Sequence, residues 1–205
     1  MKRALTVLAL LIATCIHAQV KEGTIVFDMK MEGMKDDMAK MMGNMSSTLY
    51  FKPGKTLNIV KTNMNTMKTY SDATGVLLLM EQMGQKLYKK MTSADLDKQT
   101  SGTTTKIAYT TEKKVIIGYN CTKAIITVTT KGNAVPITVW YTDKLPVIVS
   151  GTDAKTFKDL KGMPLQYTLN QGQMNITLTA KSISTTPVPD ATFNVSTAGY
   201  TEMKK

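Results

Sequence analysis

The chain has 205 residues, 42% of them hydrophobic but only 6% aromatic, and a formal net charge of +11. Its one histidine (His17), its one arginine (Arg3) and one of its two cysteines (Cys15) all lie at the start. The remainder of the chain therefore has no Ser-His-Asp or Cys-His nucleophile pair, no HExxH zinc site, no imidazole base and no guanidinium fork to read phosphate or guanine.

The first segment, "MKRALTVLALLIATCIHAQ", has a basic start (Lys2, Arg3), an apolar run from Ala4 to Ala13 and a small residue at Ala18. This pattern predicts a secretory signal peptide over residues 1–18, cut after Ala18. Cys15 offers a rival reading as a lipid attachment point, disfavoured because Thr14 stands where a smaller residue is preferred. No later apolar run is long enough to span a membrane. The expected product is a periplasmic or extracellular protein, a single domain over 19–205 and a monomer. Its lone remaining cysteine, Cys121, is expected to be a small strand residue, because no internal disulfide can form. The lysines alternate with threonines along polar strand faces, which fits a solvated surface and argues against nucleic acid.

Next, "TIVFDMKM" places Ile25, Phe27, Met29 and Met31 on one face and Val26, Asp28 and Lys30 on the other, the pattern of a strand with one buried side. The adjoining stretch, "MEGMKDDMAKMMGNM", reads as an amphipathic helix. At about 100° per residue, Met31, Met34, Met38, Met41, Met42 and Met45 share an arc of about 100°, while Asp36 opposes it. Gly33 and Gly43 each cost such a helix roughly 1 kcal/mol against alanine, so it needs something to pack on.

"STLYFKPGKTLNIVKT" predicts a hairpin with Pro53 and Gly54 at the centre of a type II turn. Its "PGKT" is not a phosphate-binding loop, since Leu49 occupies the position where that motif needs its first glycine. Further strands are expected at 66–71, in "VLLLMEQ" and in "QKLYKKM". Val76 to Met80 leave no polar face, which predicts cover on both sides. "TSADLDKQTSGTTTK" reads as a loop with a helical turn. Then "KKVIIGYNCTKAIITVTTKG", "AVPITVWYTDKLP", "LQYTLNQG" and "QMNITLTAKSI" are four β-rich segments in a meander, with a short helix at 154–160. Phe193 and Tyr200 are expected docking points in the closing segment.

The fold class expected is mainly β (α+β), a curved antiparallel sheet or incomplete β-barrel with the Met-rich helix as a lid. With Trp140 the only tryptophan, Val, Ile, Leu, Met and Thr line most of the inner face, a lining that leaves room for a cavity.

"GYNCTKAIITV", "VWYTDKLP", "GTDAKTFKDLKGMPLQYTL" and "TFNVSTAGYTEM" together resemble a family of exported Bacteroidota proteins related to the GLPGLI family. Gly118, Tyr119, Cys121, Lys123 and Ala124 stand in the first block and Trp140, Tyr141, Thr142, Leu145 and Pro146 in the second. "LKGMPL", Leu160 to Leu165, sits where the name-giving Gly-Leu-Pro run would be and departs from it. The resemblance covers roughly residues 105 to 203. It implies a fold similar to the periplasmic lipoprotein carrier LolA, an open barrel enclosing an apolar cavity, in a wider group that binds acyl chains. The family supplies no catalytic or ligand residues to carry over, and Gly118, Gly162 and Pro164 have evident backbone roles.

The function expected is a cell-envelope binding or carrier protein for a hydrophobic or lipid-like ligand. Met34, Met38, Met41, Met42 and Met45 of the helix, with Ile126, Val128, Val139 and Met174 of the sheet, are the expected ligand contacts, because methionine repacks around varied shapes. A transient membrane-surface contact is compatible with this reading, and it calls for no catalytic residue, metal or cofactor. One alternative is copper(I) or silver(I) handling by Met38, Met41 and Met42, since soft thioethers select soft cations. Another is a structural module without a ligand. An enzyme is not expected: Asp36 with Asp37 and Asp95 with Asp97 read as solvated charges, and Glu81 and Asp143 have no partner visible in the sequence.

Overall fold

A computed structural model describes residues 20–33, 36–151, 153–172 and 174–203; the leader segment with Cys15, and Met34, lie outside them. The elements in chain order are β1 (Gly23–Glu32), α1 (Asp36–Met42), β2 (Met45–Lys52), β3 (Lys55–Lys61), β4 (Asn65–Asp72), β5 (Gly75–Gln82) and β6 (Gln85–Thr92). They continue with α2 (Ser93–Gln99), β7 (Thr103–Ile116), β8 (Tyr119–Thr130), β9 (Asn133–Thr142), α3 (Asp153–Phe157), β10 (Met163–Gln171), β11 (Met174–Ser184), a 3-10 turn at Asp190–Phe193 and β12 (Thr201–Glu202). No helix among the described residues is long and apolar enough to cross a membrane.

All twelve strands belong to one sheet, in the order β12-β6-β5-β4-β3-β2-β1-β11-β10-β9-β8-β7. Two hairpin meanders meet at β1, which pairs with β2 on one side and β11 on the other. Chain length forces the sheet to curl. β6 and β7 lie ten places apart in the sheet, about 48 Å if it were flat. The link between them is α2 with a few extended residues, which reaches only about 20 Å. The sheet therefore bends into an incomplete barrel, and α2 bridges its open side. Thr92 caps α2 by accepting from the Asp95 backbone, while the Asp95 side chain accepts from the Thr92 backbone, so Asp95 is a capping group.

Each face has its own cover. Leu145, Ile148, Phe157 and Leu160, in the connection from β9 to β10, pack onto the inner face against Ile25, Phe27, Leu49 and Phe51 on one side and Ala124, Ile126 and Val139 on the other. Ser150 and Gly151 tie this cover to β4, through a Ser150 Oγ to Ser71 Oγ contact of 3.2 Å and a bond from Gly151 N to Ser71 Oγ of 2.9 Å. The C-terminal segment crosses the outer face. Val188 and Phe193 close over Leu57, Tyr50 and Tyr70, and β12 then adds in parallel to the edge of β6. Tyr200 donates its hydroxyl hydrogen to Glu81, and Lys68 lies 3.6 Å from the same carboxylate. Glu81, with no partner visible in the sequence, thus has two.

Three sequence expectations change. The described methionine helix is α1, Asp36–Met42, and Gly43 directly after it adopts φ of 59°, a left-handed conformation that ends a helix. Met31 remains in β1 opposite Ile176, and Met45 opens β2 opposite Met29. The segment "KKVIIGYNCTKAIITVTTKG" is not one strand but the end of β7 and the whole of β8. They are joined through Ile117 and Gly118 at φ of 44° and 85°, positive values of the kind two-residue hairpin turns require. Lastly, the α3 connection, which the sequence reads only as a short helix, covers the inner face around Ile126 and Val139. Cys121 is fully buried, and burial pushes its thiol pKa up, as befits a packing residue.

Candidate ligand-binding face

Strand register shows what the inner face presents. One row runs directly across six strands: Phe27, Ser47, Val60, Met67, Met80 and Leu87. A neighbouring row runs Tyr167, Leu178, Met29 and Met45, and a third Leu169, Ile176 and Met31. The inner cover packs over the sheet around Ile25, Leu49 and Phe51. Beyond it, Met29, Met31, Met45, Val60, Met67, Leu78, Met80 and Leu87 are only half-buried. This open half of the concave face is an apolar row that the inner cover does not bury completely.

The expected contact residues divide. Met45 lies in this open half, and Met42, half-buried, ends α1 beside it. Met41 of the same helix is 56% exposed, so α1 does not lay its whole stripe on the sheet. Met34 and the side chain of Met38 fall outside the described residues. Met174 is half-buried at the start of β11. Ile126 and Val139 are the clearest departure: both are 0% exposed beneath Phe157 and Leu160, with Val128 packed at the margin of the same cluster. The space expected to be hollow above them is filled by α3. Sequence reasoning missed Val60, Met67, Leu78, Met80 and Leu87. The alternation of β3 and β4 signalled half-buried strands, but the unbroken Val76–Met80 run masked which of its members face inward.

A small polar cavity of about 30 Å³ lies where cover meets sheet, bounded by Ser47, Asn58, Ser150, Asp153 and Tyr167 together with Phe27, Leu49 and Met163. A space of that size holds water. Ser47 Oγ donates to Asn58 Oδ1 at 2.6 Å. Part of Asp153 still reaches solvent, but protein surrounds its carboxyl, and burial pushes the carboxyl pKa up. Tyr167 packs edge-on against Phe157 and Phe27, with ring centroids 5.1 and 6.3 Å away. Burial first, and the charge of Asp153 second, raise its hydroxyl pKa beyond the ordinary tyrosine range.

No protein-family model matches the chain, and the search of curated proteins returns no match. Among solved structures, that of PNGF-II is similar over 89% of this chain at 18% identity, with a TM-score of 0.47. In that match the chain spans 31% of the length of PNGF-II. LprF from Mycobacterium bovis is similar over 84% of this chain and 89% of its own, at 12% identity and a TM-score of 0.37. Likenesses at that level carry no inference about ligand or activity, which the residues themselves must supply.

Those residues offer apolar contact more than chemistry. No group of three or more His, Cys, Asp or Glu side chains that could hold a metal occurs among the described residues. Asp153, whose carboxyl pKa burial raises, faces a space too small for an organic substrate. The open half of the concave face, by contrast, carries an apolar row with flexible thioethers, suited to accepting a chain-like ligand without demanding one shape.

Proposed function

We propose that the protein is a cell-envelope binding or carrier protein for a hydrophobic or amphiphilic, lipid-like ligand, held on the methionine-rich open half of the concave face. The observation that carries this reading is the row Val60, Met67, Met80 and Leu87, aligned across four strands and half-buried throughout. A partly exposed apolar row of this continuity suits a binding site. Each methylene a ligand buries contributes about 0.8 kcal/mol. Some ten of them match the roughly 8 kcal/mol of a micromolar complex, before the ordering costs of association. The resemblance of the second half of the chain to a family with a LolA-like fold supports the same reading, as does the leader-like first segment. The net charge of +11 suits a transient contact with an anionic membrane surface.

Native mass spectrometry of delipidated protein, offered a panel of fatty acids and phospholipids, tests it. Uptake of one chain-like ligand per protein is the expected result, and no uptake across the panel overturns the reading. The packed half of the barrel, where Ile126 and Val139 are sealed under Phe157, favours a second reading as a module without a ligand. The same failure of uptake would select it.

A further inference from the structure

Three hairpins of the sheet close through the same kind of two-residue turn, a residue of positive φ followed by a glycine. Met83 and Gly84 stand at 48° and 80°, Ile117 and Gly118 at 44° and 85°, and Lys131 and Gly132 at 50° and 82°. Such turns favour asparagine or glycine at the first position, and a β-branched side chain is the costliest occupant. Methionine and lysine are unbranched at Cβ; only the β7–β8 turn places isoleucine there. Packing does not account for the choice. Ile116 is buried in the core cluster that contains Cys121 and pins the tip to the barrel, but Val115 and Ile117 on either side of it are 66% and 39% exposed. Local strain that buried contacts do not offset points to a function.

The surroundings of this tip are basic. No acidic residue occurs between Glu112 and Asp143, so β8 and β9 carry none. The two flanking carboxylates are each matched by a lysine, Glu112 by Lys123 at 2.8 Å and Asp143 by Lys144 at 3.8 Å. Lys114 lies over the Trp140 ring at 4.2 Å. Lys113 is exposed and has no ion-pair partner among the described residues, and strand alternation puts it on the same face of β7 as Val115. A bilayer surface matches this pairing: its acyl boundary takes up aliphatic groups while its anionic headgroups take up the ammonium. We propose that the β7–β8 hairpin tip, Val115 and Ile117 with Lys113, docks the protein on an anionic bilayer. The proposal rests on the carrier reading for the class of partner and adds the place of contact, which shares no residue with the open row. Two aliphatic side chains are a weak signal that needs the electrostatic one beside it, and such docking is reversible, as delivery of a ligand requires.

Co-sedimentation with phosphatidylcholine vesicles that contain or lack phosphatidylglycerol tests it. The chain is expected to bind the anionic vesicles, less so as salt rises, and to leave the neutral ones. V115T/I117N should lose at least about tenfold in partitioning, since it removes the aliphatic groups that leave water. M83Q, at the exposed β5–β6 turn, should bind as the native chain does. Asparagine relaxes the turn, so the double variant is expected to resist urea at least as well as the native chain; if it does not fold, K113Q carries the comparison. On vesicles, hydrogen exchange should slow at Ile117 and Gly118 and not at Lys131 and Gly132. Undiminished binding by V115T/I117N, equal binding to neutral vesicles, or slowing at the Lys131 turn instead would each overturn the docking tip. So would slowing at Ile117 that rises with protein concentration and needs no vesicle, the mark of a second copy. V115T/I117N should keep lipid uptake and lose vesicle binding, whereas M67Q/M80Q on the open row should do the reverse, so the tip and the carrier reading fail separately.

Discussion

Asp153 is the residue whose placement departs furthest from what its type prefers. A carboxylate enclosed by Phe27, Leu49, Met163 and Tyr167 loses hydration that nothing charged replaces, and its pKa rises for that reason. The folded chain therefore holds the Asp153 proton to higher pH than the unfolded chain does. Stability is unaffected below the unfolded carboxyl range, about pH 4, and falls as pH rises from there through the folded value. Asp153→Asn is accordingly expected to unfold at a higher temperature than the native chain at pH 7, with the gain vanishing toward pH 3 in a calorimetric pH series. A gain that stayed constant with pH would mean that the carboxyl is not the cause. Ile117 stores a different cost. A β-branched residue at φ of 44° is a steric outlier, and the turn prefers asparagine at that position. Ile117→Asn should stabilise the protein by roughly 1 kcal/mol, read as a higher urea midpoint at unchanged slope.

At the scale of elements, the strands were legible because their alternation is strong, and the "PG" turn and the Thr92–Asp95 cap are local signals. The limits of α1 were legible only in part. The helical stripe of methionines and the strand alternation of Met29, Met31 and Met45 describe overlapping residues, and Gly43 decides for Met45 by ending the helix before it. Which segment covers the barrel was not legible at all. "TDAKTFKDL" carries two large apolar residues, Phe157 and Leu160, and nothing local reveals that they plug a barrel, Phe157 at 0% exposed. Phe157→Ala should therefore cost about 3–5 kcal/mol in chemical denaturation, far more than a five-residue helix would suggest. The outer strap hangs on fewer contacts. Glu81 is held below the ordinary carboxylate range chiefly by the Tyr200 hydroxyl, and the Tyr200 pKa is pushed up to about 12 by burial and by that bond. Tyr200→Phe should cost about 1 kcal/mol. Hydrogen exchange should quicken at Thr201 to Met203, which bond to β6, and not at Phe193, which is anchored separately.

For the whole molecule, the two halves of the barrel serve different ends, and that division makes the binding proposal testable without knowing the ligand. Where α3 fills the barrel, Ile126 and Val139 are core, and truncation there removes packing: Ile126→Ala should cost about 2–5 kcal/mol and weaken any binding only through lost folding. Where the barrel is open, Met67 and Met80 face each other across β4 and β5 and are only half-buried. Exchanging both for glutamine keeps length and flexibility but makes the surface polar, and at half-exposed positions the stability change should stay within about 1 kcal/mol. If a lipid-like ligand lies on this row, the M67Q/M80Q variant loses uptake in native mass spectrometry while its unfolding temperature barely moves, and Ile126→Ala shows the reverse. Equal loss of uptake in both variants, in proportion to lost stability, would place the ligand elsewhere, because only contact with the open row separates binding from folding in this way.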